Sequence, residues 1–213
     1  MAAHARPGAL WIDHATITPA LAVRLGAEAE ARGMAFLDAP VSGGPEGAAK
    51  GTLAIMAGGS EAAFARAEPV LAAYGQVVRR MGPVGSGTHT KLVNQLLTFV
   101  HGMAAAEALA LAEGLGVSLE AMAEVLRASF GHSRMLDRTL ARVQAGDYSA
   151  GAALRLYTKD LAITRAVGAS RGIPLPVLSH ADALLQEAVA EGLGERDIAA
   201  LRLRYPQGGI SGR

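Results

Sequence analysis

The sequence predicts an α/β portion followed by an all-α domain, the two joined by a long interdomain helix. Three observations predict it. Up to about residue 85, short apolar runs alternate with helical patterns, as in a sheet with helices packed on it. After Gly87 no strand pattern occurs. Between the two regions, Thr88 to Glu113 holds a helical apolar period over roughly 26 residues, about 39 Å at the α-helical rise.

Taken in order, Ala9-Leu10-Trp11-Ile12 reads as a strand ending at Asp13. Pro19 to Arg32 reads as an alanine-rich helix, with Thr18 as its N-cap and Gly33 as its stop. Met34 to Leu37 is a second strand running into Asp38-Ala39-Pro40, and Thr52 to Ala57 is a third, terminated by Gly58-Gly59. Ser60 with Glu61 opens a helix to about Tyr74, and Val77 to Met81 is a fourth strand. This alternation implies a parallel or mixed sheet. In the long helix, Leu92, Leu96, Phe99, Val100 and Met103 mark the buried stripe. Further helices start at Ser118 and run over Ser133 to Gln144, Ala152 to Ser170 and Val177 to Glu191, punctuated by glycines. Leu154, Leu156, Leu161 and Ile163 read as core, and Asp137, Arg138 and Arg142 as a solvated helix face. The expected domains are 1–86 and 87–206, with 207–213 a flexible tail.

Composition bounds the function. Apolar residues make up 51% of the 213, enough for a sizeable core, and the formal net charge is +1. That balance offers no electrostatic footprint for nucleic acid or an anionic membrane. The chain has no cysteine, which removes disulfides, thiol nucleophiles and cysteine-ligated zinc. No apolar run reaches the ~18 residues of a membrane span without a charge or glycine, and Met1 to Gly8 lacks the apolar centre of a signal peptide. The expectation is a cytoplasmic protein. The histidines, among them His4, His14 and His89, show no metal-ligand spacing, so no metal is expected.

Two segments carry candidate chemistry. In Gly82-Pro-Val-Gly85-Ser86-Gly87-Thr-His-Thr-Lys91-Leu-Val-Asn94-Gln95, a glycine-rich turn leads into the long helix, and Lys91 and Asn94 share one helical face. An ammonium and an amide just inside a glycine-framed helix start suit an anionic or oxygen-rich ligand. The same residues also read as a capped helix with a solvated lysine. In Asp38-Ala-Pro-Val-Ser42-Gly43-Gly44-Pro-Glu-Gly47-Ala-Ala-Lys50-Gly51, a strand end is followed by a hydroxyl and unobstructed backbone N–H groups. Strand ends are where ligands of open α/β sheets bind, and such a nest suits a carboxylate. A flexible inter-strand loop accounts for the glycines equally well. Asp160 reads as a structural partner of a nearby cation, and Ser42 has no neighbouring base for nucleophilic chemistry.

Together these segments are recognisable. The chain resembles the β-hydroxyacid dehydrogenase family, which includes 3-hydroxyisobutyrate dehydrogenase and tartronate semialdehyde reductase, over roughly residues 9–205. Asp38 to Gly44 is similar to that family's substrate loop, and Gly82 to Gln95 to its catalytic segment. Ile12-Asp13-His14-Ala15-Thr16 is similar to the strand end whose threonine touches the nicotinamide cofactor. Lys159-Asp160-Leu161 is similar to the helical-domain motif whose lysine also reaches the cofactor. The resemblance implies a partial Rossmann-like sheet and a helical domain of the 6-phosphogluconate dehydrogenase type. It implies interconversion of a 3-hydroxy acid, such as 3-hydroxyisobutyrate, and its semialdehyde with NAD or NADP. Ser42, Gly43, Gly44 and Gln95 would bind substrate, Lys91 and Asn94 would be catalytic, and Thr16 and Lys159 would bind cofactor. The substrate hydroxyl would lose its proton to Lys91 as hydride leaves the carbon. An ordinary lysine titrates near 10.4, so partial burial beside the cofactor's positive ring would be needed to ease that proton exchange. Helical domains of this family commonly pair between subunits, which implies a homo-oligomer.

The chain also departs from the family pattern. Nothing before Asp13 matches the strand, Gly-x-Gly-x-x-Gly turn and helix with which the family begins. The expectation is therefore weak cofactor binding by these residues, or none, with the choice between NAD and NADP undetermined. Position 15 is alanine where the family usually has serine, and the amide one turn after the lysine is either Asn94 or Gln95. A second reading stands beside the enzyme: a catalytically silent relative that serves as an oligomerisation or binding module.

Overall fold

A computed structural model describes residues 5–206; the tail expected at 207–213, and His4, lie outside them. The chain divides into two units, residues 1–94 and 95–213, with the boundary inside one long helix.

In the first unit, β1 (Leu10–Asp13) runs parallel to β2 (Ala35–Asp38), with Asp13 opposite Asp38. The crossover is α1 (Pro19–Glu30). It starts where Thr18 Oγ1 accepts the Leu21 N–H at 3.2 Å and Pro19 supplies a helical φ. Next come β3 (Val41–Ser42), α2 (Gly44–Lys50) and β4 (Leu53–Gly58). β2 and β3 are two pieces of one line antiparallel to β4. Asp38 faces Gly58, Val41 faces Ile55 and Ser42 faces Ala54, in one constant register. Pro40 sits in the gap, with no N–H to give, and accepts the Met56 N–H on its carbonyl at 3.0 Å. α3 (Glu61–Leu71) is started by Ser60 Oγ, which accepts the Ala63 N–H at 3.1 Å. It leads to β5 (Gly75–Gly82), parallel to β4 on its other side.

Strand alternation divides the first unit's core into two. Leu37, Leu53, Ile55 and Ala57 pack with Ala63, Ala67 and Leu71 of α3. Phe36 turns to the opposite face, with Met34 and Ala29 and the partly buried Trp11, Leu25 and Val84. Trp11 meets Phe36, its partner in the register, edge to face at 5.4 Å between ring centroids.

The long helix α4 (Ser86–Gly114) enters both units. In the second unit it meets α5 (Leu119–Arg127), α6 (Arg134–Ala145), α7 (Leu154–Ser170) and α8 (Pro176–Ala188). Phe99 and Ala106 pack with Leu154, Leu161, Leu178, Leu185, Ile198 and Leu201. Ala105 and Leu109, on another side of α4, pack with Ala123, Leu136 and Leu140. By length and composition α4 is the one candidate for a membrane span among the described residues. Its Phe99, Ala105, Ala106 and Leu109 are taken up by these two cores, while Val93, Leu97 and Leu111 are exposed.

Four readings of the sequence are corrected. The glycine-rich stretch after Pro40 is not a flexible loop but β3 followed by a short helix. Gly43 and Gly44, at φ +132° and +64°, turn the chain into that helix, and Gly51 closes it in the left-handed conformation. Leu154 and Leu161 are core as expected, but Leu156 is exposed and Ile163 only half-buried; two residues rotate a helix face by about 200°. Arg138 and Arg142 are not a solvated face. Arg138 clasps Asp197 with both Nη atoms at 2.7 and 2.6 Å, and Arg142 binds Asp147 at 2.9 Å. Finally, α8 ends at Ala188 and the chain runs on through helical turns over Val189–Leu193 that kink at Gly192, φ +90°, and a 3-10 helix (Ile198–Arg204) that the sequence did not announce follows.

Candidate active site

β1 and β2 are parallel neighbours, so their C-terminal ends open side by side, the position at which open α/β sheets hold ligands. The segments leaving them are residues 14–18 and 39–44. Asp13 Oδ1 accepts the Ala15 N–H at 3.1 Å and turns the first segment toward the half-buried Thr16. His14 ties the two segments together. Its Nδ1 lies 2.6 Å from the Ala39 carbonyl and its Nε2 lies 2.9 Å from the Tyr74 hydroxyl. A carbonyl accepts only, so Nδ1 is the donor to Ala39.

Lys91 comes to the second segment. It is 8% exposed, and its Nζ donates to the Val41 carbonyl at 2.9 Å. The reason lies in the pairing of the strands. Pro40 accepts from Met56, so the next pair, Val41 with Ile55, is of the non-hydrogen-bonded type, and the Val41 carbonyl points away from β4. Lys91 satisfies that otherwise unmated edge. Ser42, Gly43 and Gly44 follow directly, Ser42 half-buried and the two glycines exposed. Asn94 is half-buried one turn beyond Lys91 on α4.

The glycine-framed start of α4 is not open to an external anion, which corrects that part of the sequence reading. Asp38, 1% exposed at the end of β2, occupies it. Its Oδ1 accepts the Gly85 N–H at 2.7 Å, and its Oδ2 accepts the Thr88 N–H at 2.7 Å and the Thr88 hydroxyl at 2.9 Å. Burial lifts the Asp38 carboxyl above its ordinary range, while these hydrogen bonds oppose the shift. The glycines serve this closeness: a Cβ on Gly87 would lie 2.2 Å from the Met56 carbonyl oxygen and 2.4 Å from that of Asp38. Sequence reasoning gave Asp38 no role. An acid at a strand end is common, and its partners lie 47 and 50 residues away.

In the second unit, Gln95 and Lys159 meet at one buried carboxylate. Gln95 Nε2 donates to Asp160 Oδ2 at 2.6 Å. Lys159 Nζ lies 2.8 Å from Asp160 Oδ1, an ion pair without hydrogen-bond alignment. Asp160 is thus a structural partner of a cation, as its setting in the sequence suggested. The structure therefore joins Lys91 to the Val41–Ser42 segment in one unit and Gln95 to Lys159 in the other. Among the described residues no cluster of three or more acids or histidines could hold a metal.

Comparison with known proteins decides the family. Residues 85–204 match the model of the NAD-binding domain of NADP-dependent 3-hydroxyisobutyrate dehydrogenase. The chain belongs to the 3-hydroxyisobutyrate dehydrogenase family. Residues 1–82 match the NAD-binding domain of 6-phosphogluconate dehydrogenase. The L-threonate dehydrogenase of Cupriavidus necator is 37% identical over 96% of this chain and 69% of its own length. The 2-(hydroxymethyl)glutarate dehydrogenase of Eubacterium barkeri is 34% identical over 92% of this chain and 65% of its own. The chain thus spans about two thirds of the length of these curated relatives. A crystal structure of 3-hydroxyisobutyrate dehydrogenase from Salmonella typhimurium superposes with a TM-score of 0.88 at 37% identity, covering 96% of this chain and 72% of that one. The Mycobacterium tuberculosis 3-hydroxyisobutyrate dehydrogenase, solved with L-serine, gives 0.84 at 34% identity over the same shares.

The cofactor of this 3-hydroxyisobutyrate dehydrogenase family is NAD or NADP. The residues present fit its nicotinamide end: two parallel strand ends side by side, with the half-buried Thr16 just beyond one of them. No Gly-x-Gly-x-x-Gly occurs among the 213 residues, so they contain no turn of that kind for the pyrophosphate.

Proposed function

We propose that these residues bind a small 3-hydroxy carboxylic acid and carry the proton transfer of its NAD(P)-dependent oxidation, 3-hydroxyisobutyrate being the type of substrate expected. The observation that supports this most is Lys91, almost buried, held by the Val41 carbonyl directly before Ser42, Gly43 and Gly44. When bound, the cofactor supplies a hydride acceptor for oxidation and a hydride donor for the reverse reaction. The chain does the rest. The Ser42 hydroxyl and the exposed main chain of Gly43 and Gly44 hold the substrate carboxylate. That places a 3-hydroxyl within reach of the Lys91 amine, which takes the hydroxyl proton during oxidation and returns it during reduction. Asn94 and Gln95 orient the substrate or the lysine. Gln95 is suited to this because Asp160 fixes its amide nitrogen. Thr16 and Lys159 hold the cofactor, with Asp160 keeping the Lys159 ammonium in place.

Turnover by Lys91 variants tests the reading, in this chain and in the chain fused to the dinucleotide-binding front unit of a relative. Lys91→Ala is expected to lower kcat by about 10²–10⁴-fold, the usual contribution of a general acid–base group, with KM changed far less. Lys91→Arg is expected to fail nearly as badly, because a guanidinium keeps its proton. Near-normal turnover by Lys91→Arg would reduce Lys91 to an electrostatic anchor and sink the acid–base role.

We further infer that the helical unit self-associates. Leu111, Leu115, Val117, Val125 and Phe130 are exposed on α4, α5 and the turns beside them. A second copy of the chain is the partner that would cover them.

A further inference from the structure

We propose that Asp38 is the positioning residue for Lys91: one buried carboxylate fixes where the helix that bears the lysine meets the strand that receives it. The inference rests on the proposed role of Lys91 and extends it to a residue that touches neither substrate nor cofactor. Asp38 ends β2, and Val41 stands three residues further along the same antiparallel line. Thr88, the partner of Asp38, stands three residues before Lys91 on α4. The contacts Asp38–Thr88 and Val41–Lys91 are thus the two ends of one strand–helix junction. The Asp38–Thr88 contact holds the start of α4 against the end of β2, and the four-carbon stem of Lys91 then carries its Nζ to the Val41 carbonyl at 2.9 Å.

The junction is built for one geometry. Both oxygens of Asp38 are engaged, one by the Gly85 N–H and one by Thr88, so the carboxylate sets the direction as well as the distance of the first turn of α4. At Gly58 and Gly87 nothing larger than glycine fits beside it. A Cβ on Gly58 would lie 2.3 Å from Asp38 Oδ1, and one on Gly87 2.4 Å from the Asp38 carbonyl oxygen. An asparagine cannot replace the acid, because its nitrogen would face an N–H on one side or the other.

Trace acetylation of the native chain tests this without any assay of turnover, so the positioning role stands or falls apart from the proposed activity. The chain has three lysines, Lys50, Lys91 and Lys159, each read separately by peptide mass mapping. Lys50 is exposed and serves as the reference, and Lys159, in the other unit, reports on general loosening. In the unaltered chain Lys91 is expected to label well below Lys50. In Asp38→Asn the Lys91 to Lys50 ratio should rise about ten-fold, the change that losing one hydrogen bond to a charged group brings, with Lys159 unchanged. Thr88→Val keeps the two main-chain bonds and should give a smaller rise, and Thr88→Ser, which keeps the hydroxyl, should give none. Should Asp38→Asn not fold, the Thr88 pair decides. Lys91 labelling as freely as Lys50 in the unaltered chain, an unchanged Lys91 ratio in Asp38→Asn and Thr88→Val, or a rise shared by Lys159 would each overturn the proposal.

Discussion

Arg138 and Asp197 show how much can hang on one pair. Asp197 is fully buried, and its carboxylate takes both Nη atoms of Arg138 and the Ala199 N–H. Burial pushes its carboxyl up, but Arg138 and the Ala199 N–H together bring it below the ordinary range. The sign follows from linkage: a lowered folded value gives stability that is present above the ordinary pKa near 3.9 and is lost as pH falls through the lowered one. Arg138→Leu strands the charge and should cost about 3–5 kcal/mol at neutral pH. The bare carboxyl then shifts upward, so the deficit should shrink as pH falls from 7 toward 4. Urea denaturation of both proteins at the two ends of that range would show it, and a deficit independent of pH would refute the electrostatic account. Asp38 acts with the opposite sign. Its folded value is raised, so its contribution is complete below the ordinary carboxylate value and declines as pH rises through the raised one.

At the scale of elements, what was legible in the sequence was local. Thr18, Ser60, Ser118 and Ser133 each accept an N–H from the first turn of the helix they open, and each start could be read from the residue type alone. Ser60→Ala should cost about 1 kcal/mol in thermal or chemical denaturation. The family was legible too, by the resemblance of the segments bearing Lys91, Ser42 and Lys159. What stayed hidden depends on residues far apart in the chain. β3 exists because β4 offers it a partner, and α2 because Gly47 packs on Leu53, so four glycines in a row of ten looked like a loop. The 3-10 helix at 198–204 is short, and its buried Arg202 pairs with Glu113, a distant partner no local pattern reveals. Of the glycines around the start of α4, Gly87 is the one that admits the main chain of Met56 and Asp38, an approach no local pattern reveals. Gly87→Ala should therefore unseat the helix, costing about 3 kcal/mol or more by overpacking against main-chain oxygens that cannot move aside. A melting temperature equal to that of the unaltered chain would show that the junction yields more easily than its spacing implies.

For the whole molecule the testable matter is self-association. Leu111 and Leu115 lie a helical turn apart, 64% and 68% exposed, and an uncovered apolar strip of this kind is costly in water. The unaltered chain is expected to be a dimer or larger at micromolar concentration in light scattering. Leu111→Glu with Leu115→Glu is expected to shift it toward monomer without loss of helical circular dichroism. A monomeric unaltered chain would remove the second copy as the covering partner.

The proline between β2 and β3 has a consequence for how this segment tolerates change. A strand has a parity, and shifting it by one residue exchanges bonded for non-bonded pairs along its whole length. Pro40 can occupy a bonded position only by accepting, as it does from Met56. A slip by one would place Val41 there instead and turn its carbonyl into the sheet, out of reach of Lys91. Substitutions at Ala39 that fit the space should therefore be borne far better than removal of that residue. Deleting Ala39 would change odd for even and rotate Ser42 to the opposite face. The property held constant between Asp38 and Ser42 is a count, and gain or loss of a single codon is the change it can least absorb.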